Sequence, residues 1–191
     1  TPRGAVEFLK ESGAKGPVFN LIRDGGYLAW ALPRMPVYVD GRLEVYREEF
    51  LTEAFGIRGE NWARVAERRG FNTAVVPVDG YEDIVGAIAK LPGWALVYVD
   101  HRDCVFVREV AEHQALIGKY KIELAREWKR EGAEPEERLP AWKAAYGGRG
   151  RPWYSMGMAQ SFFALGSLEN AAVYLRRALE HYPGHERAMA E

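Results

Sequence analysis

The segment TAVVPVDGYEDIVGAIAKLPGWALVYVDHRDCVFVRE, residues 73–109, decides how this chain folds. It opens on a short β-branched run, 73–78, closed by the turn dipeptide Asp79-Gly80. Pro77 has no N–H to donate and is placed near the end of that strand. Residues 81–93 carry apolar side chains at helical spacing and stop at Pro92-Gly93. Two more strand-like runs follow, 94–100 and 104–109. Only His101-Arg102-Asp103 separates them, so they are expected to form an antiparallel hairpin.

The same alternation extends toward the N-terminus. Residues 17–22 and 36–40 are expected strands. Helices are expected at about 3–13, at 25–32 (ended by Pro33), at 46–56 and at 60–69. Strands joined through helices imply right-handed parallel crossovers. Residues 1–110 are therefore expected to form an α/β domain with a mixed, mostly parallel five-stranded sheet. Four strands run parallel, the last returns antiparallel at or near one edge, and helices cover both faces. From about residue 111 the pattern turns all-helical. A long helix is expected over 110–131 and a shorter one over 135–146, then a flexible joint at 147–152. The helical tail, 111–191, is the second expected domain.

The bulk numbers exclude several classes. The chain has 191 residues, 48% hydrophobic and 28% charged, which suits a globular core without disulfides. Lys+Arg number 26 and Asp+Glu 27, a net charge of -1, so no global basic field exists to hold nucleic acid. Cys104 is the only cysteine, and a buried, inert thiol is its default. No apolar run approaches the roughly 18 residues that would span a bilayer. The chain begins at Thr1 without a methionine and is read as a piece of a longer parent.

The best-defined motif is PWYSMGMAQSFFALGSLENAAVYLRRALEHYPG, residues 152–184. It resembles one tetratricopeptide repeat, a helix pair of about 34 residues. Ala159 takes the small position of the first helix and Phe162 the aromatic one. Gly166 falls at the turn, Ala171 where the helices cross, Leu175 and Ala178 on the inner face, and Pro183 at the close. Ser155 stands where the pattern often has a large aromatic, with Tyr154 beside it. Single repeats cannot bury their own apolar face, so this one must stack on residues 110–146 or on something beyond Glu191. Its candidate protein-contacting residues are Tyr154, Met158, Phe162 and Arg176.

A wider resemblance rests on Asn20, Gly25, Gly26, Tyr27, Trp30, Leu32 and Pro33, then Asp40, Gly41, Arg42 and Tyr46, with the closing VFVR at 105–108. These residues resemble the soluble domain that follows the transmembrane region in bacterial membrane proteins of the dolichyl-phosphate-mannose glycosyltransferase type. Asp24 departs from that pattern, which often has an aromatic there. The resemblance implies a membrane-bound parent, with this domain on its extracytoplasmic side. It implies an accessory, non-catalytic role in contact with a protein or glycan partner, because the catalytic acid of such enzymes is expected among membrane segments absent from this chain. No catalytic residue is assigned, and no cofactor or metal is expected.

The alternative is a small-ligand or metal-dependent enzyme domain. In open parallel sheets, ligands bind beyond the carboxyl ends of the strands. Those ends gather Arg23-Asp24, Asp40-Gly41-Arg42, Asp79-Gly80 and Asp100-His101-Arg102-Asp103, with Asp24, Asp40, Arg42, Asp79 and His101 as the candidate ligand residues. Carboxylates, imidazole and arginine can hold a metal or an anion. The plain explanation is equally physical. Asp24 and Asp79 sit where helix N-caps belong, Asp40-Gly41 and Asp79-Gly80 are turn dipeptides, and Arg42 can pair with Asp40 or Glu44. Other patterns carry less. Gly25-Gly26 lacks dinucleotide-site spacing, and His101-Arg102-Asp103 lacks the other kinase motifs. Pro183 breaks the helix between His181 and His185, His113 is expected on a helix surface, and the tryptophans are mostly core candidates.

Overall fold

The computed structural model describes residues 1–125 and 152–181. Four strands form one mixed sheet: β1 (Val18–Phe19), β2 (Thr73–Pro77), β3 (Trp94–Val99) and β4 (Asp103–Arg108). Their order is β1-β2-β4-β3. β1 pairs parallel with β2, while β4 pairs antiparallel with both β2 and β3. The expected mostly parallel, five-stranded sheet is corrected on two counts. The returning strand is central rather than near an edge, and the segment at 36–40 contributes one isolated bridge instead of a fifth strand.

Both corrections have local causes. β4 is apolar on both faces, with Cys104, Val105, Phe106 and Val107 all fully buried. A strand of that kind is stabilised where both faces are covered, and full burial of each Val or Phe side chain contributes about 1.5–3 kcal/mol. The 36–40 segment lies along β1 through Val18 N to Pro36 O (2.8 Å) and Tyr38 N to Val18 O (3.0 Å). Beyond that point the ladder ends, because the chain is helical from Ile22. The Asn20 side chain takes over, accepting from Tyr38 N (2.9 Å) and donating to Val39 O (2.7 Å).

Eight α-helices surround the sheet among the described residues. They are α1 (Arg3–Ser12), α2 (Ile22–Ala31), α3 (Glu48–Phe55), α4 (Gly59–Arg69), α5 (Glu82–Ala89), α6 (Gln114–Tyr120), α7 (Pro152–Ala164) and α8 (Leu168–His181). Alternation along the strands separates two cores. Val18, Val75, Ala95, Val105 and Val107 pack with α1, α2 and α6 through Val6, Leu9, Leu28 and Leu116. Ala74, Val76, Leu96, Cys104 and Phe106 pack with α4, α5, α7 and α8 through Trp62, Ile84, Ile88, Met158 and Phe162. The helices beyond residue 110 thus share cores with the sheet.

Several local expectations change. Of the helix expected over 110–131, the described residues form a 3-10 turn at Ala111–His113 and then α6, and the next stretch closes the β3 edge by donating Ile122 N to Leu96 O (2.9 Å). His113 is fully buried rather than on a surface. It accepts from Lys15 N at Nε2 (2.9 Å), and its Nδ1 lies 2.9 Å from Arg108 O, tying the α1–β1 loop to the end of β4. Trp62 is buried, but Trp30 is 77% exposed with its ring 5.8 Å from that of Tyr27. The helix expected over 135–146, the joint at 147–151, Pro183 and His185 lie outside the described residues.

Candidate functional site

Beyond the carboxyl ends of β2 and β3, a cleft of about 890 Å³ opens between the sheet and α7–α8. Arg23, Asp79, Glu82, His101 and Arg102 line the strand side, and Met156, Gln160 and Phe163 face them from α7. Close backbone contact places α7 there. A Cβ on Gly157 would stand 2.5 Å from the His101 carbonyl oxygen, so only glycine lets the helix lie on the β3–β4 turn. Ser161 fastens the contact, donating its hydroxyl to Asp100 O (2.8 Å), and Gln160 donates to Glu82 Oε1 (2.9 Å).

Helical periodicity then divides α7. Tyr154, Met158 and Phe162, spaced by four, are buried in the core. Met156, Gln160 and Phe163 fall on the opposite stripe, and Phe163 is 68% exposed. The expected contact residues Tyr154, Met158 and Phe162 are therefore packing residues, with Phe162 stacked on Tyr174 at 5.7 Å. Arg176 is exposed on α8, and its Nε donates to Ala172 O (3.2 Å). It is absent from the cleft lining.

The β3–β4 turn is organised by Asp100. Its Oδ1 accepts from Arg102 N and Asp103 N, each at 2.8 Å, and its Oδ2 accepts from Tyr98 Oη at 2.7 Å. A register shift between Leu96 and Tyr98 puts Val97 and Tyr98 on the same face, which aims the tyrosine at Asp100. Asp100 holds three such bonds, and the exposed Arg102 side chain lines the cleft. Asp103 behind it is 2% exposed, and its Oδ1 has no hydrogen-bond partner among the described residues. Burial pushes the Asp103 carboxyl up to about 7, reinforced by the charges of Asp100 and Asp24 and opposed by Arg102 and Arg23. Burial likewise holds the Cys104 thiol well above its usual value, as an inert core thiol would be.

Asp24, Asp79 and His101 come to this end of the sheet, but neither aspartate is a cap. Asp24 is buried within the first turn of α2 and accepts from Arg23 Nε at 3.3 Å. The N-cap there is Leu21. Asp79 is exposed on the cleft wall, because α5 begins only at Glu82 with Tyr81 as its cap. His101 lines the cleft, its ring 5.1 Å from that of Tyr154.

Asp40 and Arg42 stand apart. Arg42 turns back on Asp40, donating Nη2 to Oδ2 (2.6 Å), Nε to both oxygens (3.1 Å) and its backbone N–H to Oδ1 (3.0 Å). These bonds hold the Asp40 carboxyl below the usual carboxylate range. Neither residue lines the cleft. Gly25 belongs to this corner, since a Cβ there would overlap the carbonyl oxygen of Val39. The resemblance residues Asn20, Gly25, Asp40 and Arg42 thus build the corner where the 36–40 segment crosses α2.

Arg23, Arg102 and Asp103 were placed at the strand ends from sequence, whereas Met156, Gln160 and Phe163 were not singled out. The available signal for these three was the stripe opposite the small-residue positions of α7. Among the described residues, no group of three or more His, Cys, Asp or Glu is arranged to hold a metal ion, and no helix is long and apolar enough to cross a membrane. The chain matches no protein-family model, no curated protein and no solved structure.

Proposed function

We propose that this chain is a non-catalytic interaction module that docks a protein partner in the strand-end cleft, on the extracytoplasmic side of the membrane holding its parent. The observation that carries the proposal is the make-up of the cleft. It joins an exposed aromatic, Phe163, and the Met156 thioether to a polar wall of Arg23, Arg102 and Asp79. An apolar patch rimmed by polar groups is the usual form of a docking site. The helix pair supports the same reading as one tetratricopeptide-like repeat. Ala159 and Ala171 are buried, and Gly166 takes a φ of 79° at the turn between the helices. The membrane tether and the glycosyltransferase-like parent are part of the proposal and rest on the sequence resemblance. A photo-crosslinking residue at position 163 of the membrane-held parent is expected to give a protein adduct, and one at the outward Arg176 none. Glycan adducts alone, or equal crosslinking from both positions, would overturn the reading.

A second reading, a small-ligand enzyme domain, is favoured by one observation. Asp103 is a buried carboxyl pushed up to about 7, in the range where a general acid–base group works. Asp103 is not among the residues lining the cleft. Under this reading Asp103→Asn abolishes a turnover while leaving docking intact. Under the docking reading the substitution changes stability only.

A further inference from the structure

We infer that the cleft selects peptide segments in which a single carboxylate lies beside a bulky apolar side chain, with Arg102 and Arg23 taking the carboxylate and Phe163 with Met156 the apolar group. The inference rests on the docking reading above and names its chemistry.

The argument starts from the arginines. Among the described residues the Arg102 guanidinium makes no hydrogen bond or ion pair, while the Asp100 carboxylate is engaged by Tyr98 and two backbone N–H groups. Arg23 holds Asp24 through Nε alone, and its guanidinium carbon stands 5.8 Å over the Tyr81 ring. Two guanidiniums on one wall, with donors to spare, match a planar carboxylate.

The other charges decide against a phosphate. Asp79 and Glu82 share the cleft with the arginines, and Glu82 already accepts from Gln160. A dianionic phosphate would meet two carboxylates as well as two guanidiniums. A peptide carries one carboxylate toward the arginines while its backbone N–H groups face Asp79. The apolar half is supplied by the α7 stripe, with Leu175, Ala159 and Ala171 at its base. A bulky side chain set there removes the exposed Phe163 face from water.

The test is selection from a random peptide display library on the 191-residue chain, on Arg102→Gln and on Phe163→Ser. Peptides enriched on the unaltered chain are expected to place Asp or Glu next to Phe, Leu or Trp. Those peptides, resynthesised, should bind Arg102→Gln about tenfold more weakly, the loss of one charge-assisted hydrogen bond. Their affinity should fall with added salt. Arg102 is exposed, so its variant should melt with the unaltered chain, which separates loss of binding from loss of fold. Enrichment without an acidic preference, or equal binding to Arg102→Gln, overturns this inference and leaves the docking reading standing. No enrichment of any peptide overturns both.

Discussion

Two loops of this protein begin alike and end differently. In Asp40-Gly41-Arg42 and in Asp100-His101-Arg102, the aspartate accepts the backbone N–H of the arginine two residues on, at 3.0 and 2.8 Å. Each is the local turn that an Asp of this kind favours. In the first loop the arginine side chain folds back on the carboxylate, leaving a satisfied ion pair at a corner. In the second, Tyr98 and Asp103 N also donate to the aspartate, and the arginine side chain lines the cleft. The turn is set by neighbouring residues, but the two arginine side chains take different directions from it.

The comparison breaks most visibly at Asp100. Asp100→Ala should lower unfolding free energy by about 3 kcal/mol in urea titration, since it strands three donors, one buried and two part-buried. If its cost equals that of Asp40→Ala, the two loops are energetically the same and the contrast fails.

The next effect is the pH response of Asp103. Its folded value, about 7, lies above the usual 3.8, so the folded state keeps a proton that the unfolded chain releases between those values. Its contribution to stability is complete below about 4 and is lost as pH rises through about 7, with a slope of up to ~1.4 kcal/mol per pH unit. Asp103→Asn should remove that slope and leave a flatter stability profile from pH 5 to 8. An unchanged profile would place the pH response elsewhere.

Smaller still is Tyr98→Phe, expected to cost about 1 kcal/mol for one hydrogen bond and to loosen the β3–β4 turn. Hydrogen exchange at Arg102 and Asp103 should quicken in that variant, while exchange at Arg42 stays as it was. Arg42→Ala comes last. Its side chain is 70% exposed, and the denaturation midpoint should not move measurably. A clear shift there would mean that the Asp40 corner supports more of the fold than its exposure suggests.

Much of the architecture was legible, and the misses have physical reasons. Helix α1 stops at Gly13 as its sequence requires, and β2, α5, β3 and β4 fall within a few residues of their expected places. These elements depend on local periodicity and turn chemistry. The strand expected at 36–40 did not form, because its neighbour β1 gives way to helix after Phe19 and the Asn20 side chain replaces the missing ladder. The helix-cap reading of Asp24 and Asp79 failed for a related reason: α2 starts earlier and α5 later than their glycines suggested. At the site, Asp24, Asp79 and His101 were found at the right end of the sheet. Asp40 and Arg42 were not in the cleft, although they carry the resemblance most clearly.

What the amino-acid order determined by itself is the alternation of elements, the hairpin at 101–103 and the small-residue seam of the C-terminal helix pair. Each is a preference expressed within about a dozen residues. Tertiary structure alone decided that β4 lies in the middle of the sheet, since centrality depends on what covers both faces of a strand. It alone turned Met156, Gln160 and Phe163 toward the cleft and buried Tyr154, Met158 and Phe162. Both α7 stripes are apolar enough to be core, and the choice between them was made where Gly157 lets the helix touch His101.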